Sequence, residues 1–491
     1  MDDLKRQEWT GGELLVCALL ELLIVRIAYQ IDRSKTAPYL STAAWAIVLG
    51  IGRATDIGLD PQILFFGLLP PIILEGGFST QHRGFFANFW DVFLLGVVGT
   101  VGASVVTGAL LYWLGRTSLL AIAFTPSEAM LYGALISGID PIATQLVLRK
   151  SHVPTLIPEL VFGERSLNNA ITVALFNLCE MRVQSGNSEI TFANATNLFL
   201  ELVGVGVGSL VLAAIVGYSS AYLLRRSDEL LRQHQAYEIS ILLLFAYASY
   251  LAGEFFHLSG HLAVFFSGAF IRHYHMYSIS HASATSFRHL LTTMSFLSEN
   301  FIFIYLGVSI FAYSGSFEWE WRFILVSFAV CLVARALMTF PLCYVANLWR
   351  SHAIPFKYMF VIWYSGLRGA VAFALSLNVK SVSGSNHAAI IRSATIFTVL
   401  TTTILFTMAT RPLLNVLGLA HTCREHARDR LDWMERRPSE NSPLLSANSE
   451  HEATWIRDTW NDFDERYLQP HFGGSISPHH SHQQQEQQQK Q

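Results

Sequence analysis

The sequence predicts an all-α polytopic membrane protein with about 12 to 13 transmembrane helices. Of the 491 residues, 52% are apolar and only 14% are charged, which is well below the charged fraction of a typical soluble chain. The apolar residues also fall in long runs separated by short charged loops. A run of roughly 20 apolar residues is what a helix needs to cross a bilayer. Length alone would instead suggest two or three soluble domains.

Thirteen apolar stretches fit membrane spans. They cover residues 11–30, 38–52, 59–78, 89–114, 129–148, 156–181, 197–224, 236–254, 258–271, 295–313, 323–346, 356–378 and 387–418. We expect residues 1–418 to form a transmembrane domain. Residues 419–491 are polar and end in a stretch rich in Gln and His, which predicts a cytosolic tail with a partly disordered end. The first span is not typical of a signal peptide, because it contains Glu21 and Arg26.

The charges of the loops orient these spans. If the tail is cytosolic, the loops on its side carry 12 basic residues and the opposite loops carry 5, in agreement with the positive-inside rule. The sequon that begins at Asn194 then lies on the luminal or extracellular side, where a glycan is added. Lys5 and Arg6, which precede the first span, count against this orientation.

Several function classes lack support in the sequence. The net charge of −3 leaves no basic surface for nucleic acid. His257 and His261 are spaced like metal ligands on one helix face, but Gly260 lies between them. No GxSxG nucleophile motif is present. We therefore expect no metal, no cofactor and no enzymatic site.

Ionisable residues occur inside the predicted spans or at their ends, where a charge is energetically unfavourable. They are Glu75, Asp140, Glu164, Arg165, Glu254, Glu299, Arg335 and Arg368. Any one of them could be an interface residue or half of a structural ion pair. Because both signs are present, the set together indicates a polar seam inside a helix bundle.

Helix-breaking residues accompany three of these charges. They are Pro70-Pro71 followed by Gly76-Gly77, the pair Asp140-Pro141, and the stretch Gly366-Leu367-Arg368-Gly369. Proline removes a backbone donor and glycine lets the chain unwind. Secondary transporters expose carbonyls and helix ends to ions at such breaks. Glycine and proline are also common in ordinary membrane helices, but the neighbouring charges favour ion translocation.

Five segments carry long motifs in a fixed order. They are residues 65–78 (FFGLLPPIILEGGF), 133–144 (GALISGIDPIAT), 162–170 (FGERSLNNA), 298–307 (SENFIFIYLG) and 363–374 (WYSGLRGAVAFA). These segments resemble those of the sodium/proton exchanger family, the monovalent cation/proton antiporters, and the resemblance extends from about residue 13 to 420. It implies an inverted-repeat antiporter fold whose broken helices cross at mid-membrane, a homodimer, and electroneutral exchange of Na⁺ or K⁺ for H⁺.

The resemblance also implies roles for particular residues. Glu164 and Arg335 would form a structural ion pair. Supporting charges would come from Glu254, Glu299 and Arg368. The segment associated with amiloride-type inhibitors would include Phe65, Leu69, Pro70, Pro71, Glu75 and Gly77.

The chain departs from this family at its expected ion-binding acid. An antiporter needs a carboxylate that binds either a proton or a cation, and burial raises the pKa of such an acid towards neutrality. The resemblance places this acid in an Asn-Asp pair, where the chain has Asn168-Asn169. An amide does not take up and release a proton near neutral pH. Arg165 stands where serine is usual, one helical turn before Asn169, and adds a positive charge to the same helix face.

Two interpretations remain open. Asp140 could be the carrier, with Ser137, Thr144, Asn168 and Asn169 as neutral ligands, since a hard cation prefers oxygen donors. Alternatively, the chain is a degenerate exchanger homologue that lacks transport and has a scaffold or regulatory role.

Two motifs in the tail indicate an endomembrane. Residues 463–472 (FDERYLQPHF) resemble a segment of the organellar, Golgi and endosomal branch of the family. The stretch from Glu440 to Leu445 resembles an acidic dileucine signal that a sorting adaptor recognises. We therefore expect a Golgi or endosomal membrane rather than the plasma membrane, and a role in organelle pH and cation content.

Overall fold

The structure is a computed structural model that describes most of the apolar part of the chain. The described residues are 11–33, 40–51, 64–81, 88–117, 120, 122, 124–140, 144, 147–148, 156–185, 192–226, 234–276, 279–312, 318–350, 353–379 and 387–419. The predicted tail and both of its sorting motifs lie outside these residues.

The described residues form helices, and none of them is in a β-strand. In chain order the helices are α1 (Gly11–Arg33), α2 (Thr42–Ile51), α3 (Leu64–Leu68 and Leu69–Phe78), α4 (Phe89–Gly115), α5 (Pro126–Ile136), α6 (Leu156–Gln184), α7 (Phe192–Arg225), α8 (Gln235–Phe255), α9 (Gly260–Phe270 and Ile271–His275), α10 (His281–Ala312), α11 (Trp321–Ala346), α12 (Phe356–Tyr364), α13 (Ala370–Asn378) and α14 (His387–Val416). Helices α3, α4, α9 and α14 each include one π-helical turn.

Six helices of the described chain are long and apolar enough to cross a membrane. They are α4, residues Thr196–Arg225 of α7, α8, residues His281–Ser309 of α10, α11 and α14. Shorter apolar helices occur at α2 and in α3. This pattern confirms the predicted all-α, multi-pass class, while the total of 12 to 13 spans stays a prediction.

Helix α10 begins well before the predicted span at residue 295. Its first turn is capped by Ser280, whose hydroxyl accepts a hydrogen bond from the Ser283 backbone N–H at 3.2 Å. Arg288, which made this stretch resemble a loop, is an exposed residue on the helix. Phe287 beside it is buried. The stretch is therefore an amphipathic extension of the apolar helix, with its charge on the outer face.

The break predicted at Pro70-Pro71 is wrong, because α3 continues through both prolines. They occupy the first turn of the segment Leu69–Phe78, directly after the π-helical turn Leu64–Leu68. Proline has no backbone N–H to donate, and the local π-helical turn lets the helix continue past the missing hydrogen bonds. Gly77 serves close packing, because a Cβ at this position would overlap the backbone carbonyl oxygen of Phe265 on α9.

The chain divides into two compact units. Among the described residues, the first unit contains α1, α2, α4 to α6 and α11 to α14, with the start of α3, the start of α7 and the C-terminal part of α10. The second unit contains α8 and α9, with the remaining parts of α3, α7 and α10.

Helices α8 and α9 pack together in the second unit and are joined by polar contacts. Buried Glu238 on α8 accepts hydrogen bonds from the backbone N–H and hydroxyl of Ser280. Glu254 at the end of α8 accepts a hydrogen bond from the Gly260 backbone N–H at 3.1 Å. These carboxylates satisfy donors at the starts of the helices that follow.

Helices α4, α5, α6 and α11 pack together in the first unit. Small residues let α4 and α5 approach closely, since a Cβ on Gly133 would overlap the backbone oxygen of Ser104. Helix α5 begins at a capping box in which Thr125 and Glu128 bond to each other's backbone N–H. Its start is thus fixed, and its C-terminal end carries the candidate site.

Candidate cation site

Two non-helical segments lie side by side in the first unit. Helix α5 ends at Ile136, and residues 137–140 are outside the helix. Residues 365–369 likewise separate α12 from α13. We call residues 137–140 the first non-helical segment and residues 365–369 the second. The Asp140 backbone N–H donates to the Leu367 carbonyl oxygen at 2.8 Å. Backbone groups released by one helix end are therefore paired with those of the other, as a membrane interior requires.

Local sequence explains both interruptions. Asp140 precedes Pro141, and a residue before proline avoids helical backbone angles. Gly369 has an extended backbone, with φ of −137°, just before α13. A Cβ on Gly369 would overlap the Asp140 side chain. Glycine at this position therefore permits the close approach of the second segment to the acid.

Arg368 braces the end of α5. Its guanidinium is buried and donates through Nη1 to the Ser137 carbonyl oxygen at 3.0 Å. Through Nε and Nη2 it contacts Cys331 Sγ at 3.2 and 3.1 Å. The positive charge thus lies at a helix C-terminus, where the helix dipole stabilises a cation.

Two hydroxyls of α14 hold the second segment. The Arg368 backbone N–H donates to Thr402 Oγ1 at 3.1 Å, and Thr403 Oγ1 donates to the Arg368 carbonyl oxygen at 3.2 Å. Thr402 and Thr403 lie in the π-helical turn Thr402–Phe406. This turn supplies partners to a backbone that has left the helix.

Asn168 on α6 ties α4 to the first segment. Its Oδ1 accepts from the Ile139 backbone N–H at 2.7 Å. Its Nδ2 donates to Thr100 Oγ1 at 2.5 Å and to the Ser137 carbonyl oxygen at 3.1 Å. Both amide atoms are therefore engaged with the protein, which favours a positioning role for this side chain.

The two predicted hydroxyl ligands, Ser137 and Thr144, are both buried. Ser137 Oγ donates to the Ala134 carbonyl oxygen at 2.7 Å and lies 3.3 Å from Thr172 Oγ1. Its hydroxyl thus completes the last turn of α5. Thr144 lies four residues beyond Asp140.

Asn169 is a buried residue of α6 whose side-chain oxygen lacks a hydrogen-bond donor among the described residues. Its Oδ1 is inaccessible to solvent and accepts no hydrogen bond from the described residues. A buried carbonyl oxygen without a donor is unfavourable. Such an oxygen is a ready ligand for a small cation.

Arg165 connects two acids from different parts of the chain. Its Nε lies 3.4 Å from Asp140 Oδ1, and its Nη2 donates to Glu299 Oε1 on α10. The three side chains are nearly buried. Arg165, which stands where the family resemblance predicts serine, therefore contacts the proposed carrier directly.

Glu164 and Arg335 form a bidentate ion pair between α6 and α11. The two Nη–Oε distances are 2.5 and 2.9 Å, and Nη2 also donates to the Ile362 carbonyl oxygen at 3.3 Å. Gly366 lies against this pair, since a Cβ there would come within 2.7 Å of Arg335 Nε. The paired guanidinium thus also supports the end of α12.

The remaining predicted residues lie elsewhere. Glu254 belongs to the second unit, where it bonds to Gly260 as described above. Of the segment associated with inhibitors, Leu69, Pro70, Pro71 and Gly77 are buried, and Glu75 accepts a hydrogen bond from Ser79 at 2.7 Å. The side chains of Phe65 and Asn194 lie outside the described part of the structure.

Sequence reasoning missed the residues that brace the two segments. They are Thr100, Thr172, Cys331, Thr402 and Thr403. Each is a small polar residue in an otherwise apolar helix, a feature too common in membrane helices to mark a site.

The fold is that of a membrane antiporter. The solved structure of the sodium proton antiporter MjNhaP1 from Methanocaldococcus jannaschii at pH 8 aligns with a TM-score of 0.63 and 18% identity. The alignment covers 83% of this chain and 98% of that chain. At this identity the likeness concerns the fold.

The chain belongs to the sodium/hydrogen exchanger family. The family described as "Sodium/hydrogen exchanger, transmembrane" matches residues 19–416. Sodium/hydrogen exchanger 8 of Homo sapiens is 32% identical over 500 residues, covering 95% of this chain and 84% of the relative. Sodium/hydrogen exchanger 5 of Arabidopsis thaliana is 32% identical over 434 residues, covering 84% of this chain and 81% of the relative. The family resemblance seen in the motifs is confirmed, and the family is one of membrane transporters.

Proposed function

We propose that the chain exchanges Na⁺ or K⁺ for H⁺ across an endomembrane, with Asp140 as the acid that binds either the proton or the cation. The position of Asp140 carries this proposal. It is buried where the two non-helical segments of the first unit meet. Membership of the sodium/hydrogen exchanger family supports the transport class.

The neighbouring oxygens suit a small cation. Asn169 Oδ1 is buried and accepts no hydrogen bond from the part of the chain that the structure describes, and Thr144 carries a buried hydroxyl. Asn168 and Ser137 would position the first segment rather than bind the ion, because their side chains are engaged with the protein. A single carboxylate that alternates between one proton and one monovalent cation moves no net charge.

A second candidate function is that of a scaffold or regulator which has the antiporter fold but does not transport ions. Two observations favour it: Asn169 replaces the acid expected from the family pattern, and Arg165 forms an ion pair with Asp140. A protein of this kind would act as a scaffold or regulator.

The cellular setting is part of the proposal. Support for a Golgi or endosomal membrane, with control of organelle pH and cation content, comes from residues 463–472 and the dileucine motif ending at Leu445. A homodimer is proposed from the family resemblance.

Flux into proteoliposomes tests the proposed exchange. The purified full-length chain should dissipate an imposed pH gradient when Na⁺ or K⁺ is added. Asp140→Asn should abolish this flux, whereas Glu201→Gln, at an exposed acid on α7, should leave it unchanged. Under the proposal, Asn169→Asp raises the rate.

Two results would contradict this assignment. Exchange retained by Asp140→Asn would reject Asp140 as the carrier. The non-transporting alternative would be favoured if neither the folded wild-type chain nor the Asn169→Asp variant showed flux.

A further inference from the structure

We infer that Arg165 is a tethered cation that occupies the place of the alkali ion between Asp140 and Glu299. A cation binds only when this guanidinium leaves. The inference rests on the proposed cation site at Asp140 and specifies what competes for that site.

The contacts of Arg165 are those of a bound cation. Its guanidinium reaches one carboxylate on the first non-helical segment and a second on α10. Neighbouring residues on a helix point about 100° apart. Since Glu164 is fixed towards α11 by Arg335, Arg165 is directed to a different side of α6.

The charges of the described residues that pair in this region balance without any bound ion. Three carboxylates and three guanidiniums take part: Asp140, Glu164, Glu299, Arg165, Arg335 and Arg368. Adding a cation while all six remain in place would leave an uncompensated positive charge in a poorly solvated environment. Entry of an alkali ion therefore requires that a positive charge withdraw from the acids.

Arg165 is better placed to withdraw than the other two guanidiniums. Its side chain is 13% exposed, compared with 4% for Arg335. Arg335 makes two bonds to Glu164 and one to a carbonyl oxygen, and buried Arg368 holds the Ser137 carbonyl oxygen. Both of these side chains support backbone at helix ends. Arg165 instead contacts two carboxylates from a more exposed position.

Binding of NaCl to the full-length purified chain tests the inference without requiring transport. A ligand that binds the folded state raises the unfolding temperature as its concentration increases. Choline chloride at equal concentration controls for ionic strength. Arg165→Gln should lower the sodium concentration needed for half-maximal stabilisation by about tenfold or more, because a competing positive charge is removed at contact distance.

Matched variants separate charge from packing. Arg165→Lys retains the positive charge and should resemble the wild type. Asp140→Asn added to Arg165→Gln should remove the gain. If Arg165→Gln does not fold, Arg165→Met provides an uncharged side chain of similar reach and should give the same shift.

Two outcomes overturn the inference: an unchanged sodium midpoint in the folded uncharged variants, or an equal shift in Arg165→Lys. The proteoliposome flux identifies which proposal has failed. Tighter sodium binding by Arg165→Gln without flux in any variant would support the competition by Arg165 and reject exchange. Flux with a sodium KM that Arg165→Gln leaves unchanged would support exchange and reject the competition by Arg165.

Discussion

The two consecutive residues Glu164 and Arg165 organise the charges of the first unit. The family resemblance named both partners of the Glu164–Arg335 pair. It did not place Arg165 against Asp140 and Glu299. Spacing along one helix relates Arg165 to Asn169, whereas contacts to other elements depend on how those elements pack.

Removing one partner of the buried pair should destabilise the protein strongly. Glu164→Gln leaves the Arg335 charge without its carboxylate. We expect a loss of about 3 to 5 kcal/mol in the free energy of unfolding, because an uncompensated buried charge remains. Thermal and denaturant unfolding in detergent measure this change.

The matched control is Glu201→Gln, which disrupts an exposed pair with Arg182 and should change stability by about 1 kcal/mol or less. Equal effects of the two substitutions would show that the buried pair contributes no more to the free energy of unfolding than the exposed pair does.

Asn168→Ala tests the brace between α4 and the first non-helical segment. The substitution removes three hydrogen bonds and leaves the Ile139 N–H and the Thr100 hydroxyl without this partner. We expect a loss of about 2 to 4 kcal/mol in unfolding free energy. Asn415→Ala, at an exposed position of α14, is the control for the same unfolding measurement. A loss no larger than that of the control would exclude Asn168 as a brace.

At the scale of elements, similar residues had different effects. Pro141 follows an interrupted helix, whereas Pro70 and Pro71 lie inside a continuous one. The difference lies in the neighbouring backbone, because the π-helical turn Leu64–Leu68 directly before Pro70 and Pro71 adjusts the hydrogen bonding of the helix locally. The sequence could therefore show that the backbone is unusual at Pro70, Pro71 and Pro141, but not at which of these prolines the helix would be interrupted.

The close approach of the two non-helical segments can be tested at Gly369. Gly369→Ala introduces a methyl group where the Asp140 side chain lies, so it should displace the acid. We expect sodium-dependent stabilisation and flux to fall by at least about tenfold, since small misplacements of a site have large effects.

Gly206→Ala on α7 is the control, because a Cβ there meets no neighbouring atom within 4 Å. It should retain both sodium binding and flux. Unimpaired sodium binding by Gly369→Ala would show that the segments tolerate a wider separation.

At the scale of the whole molecule, composition and apolar runs were sufficient for the fold class. Long apolar helices are determined by local sequence, so α4, α7 and α11 lie close to their predicted positions. The division of the chain into two units was not apparent, because three of its boundaries fall inside the continuous helices α3, α7 and α10. No loop or change in composition marks them.

The proposed orientation in the membrane can be tested at Asn194. A helix of 30 residues, Thr196–Arg225, is about 45 Å long and exceeds the apolar core of a bilayer. Its ends should therefore lie on opposite sides, with Arg225 cytosolic and Asn194 luminal. Glycosidase treatment of the protein from eukaryotic cells should increase its gel mobility, and Asn194→Gln should remove this shift. A shift that persists in the variant would place the glycan elsewhere.

The balance of six charges around Asp140 has a consequence for the response to voltage. A group of side chains with no net charge experiences almost no force when it changes depth in an electric field. Replacing Arg165 by an uncharged residue would leave one elementary negative charge, worth about 2.3 kcal/mol for each 100 mV that it fully crosses. Under the proposed electroneutral exchange, flux through such a variant should therefore depend on the membrane potential, whereas flux through the native chain should not.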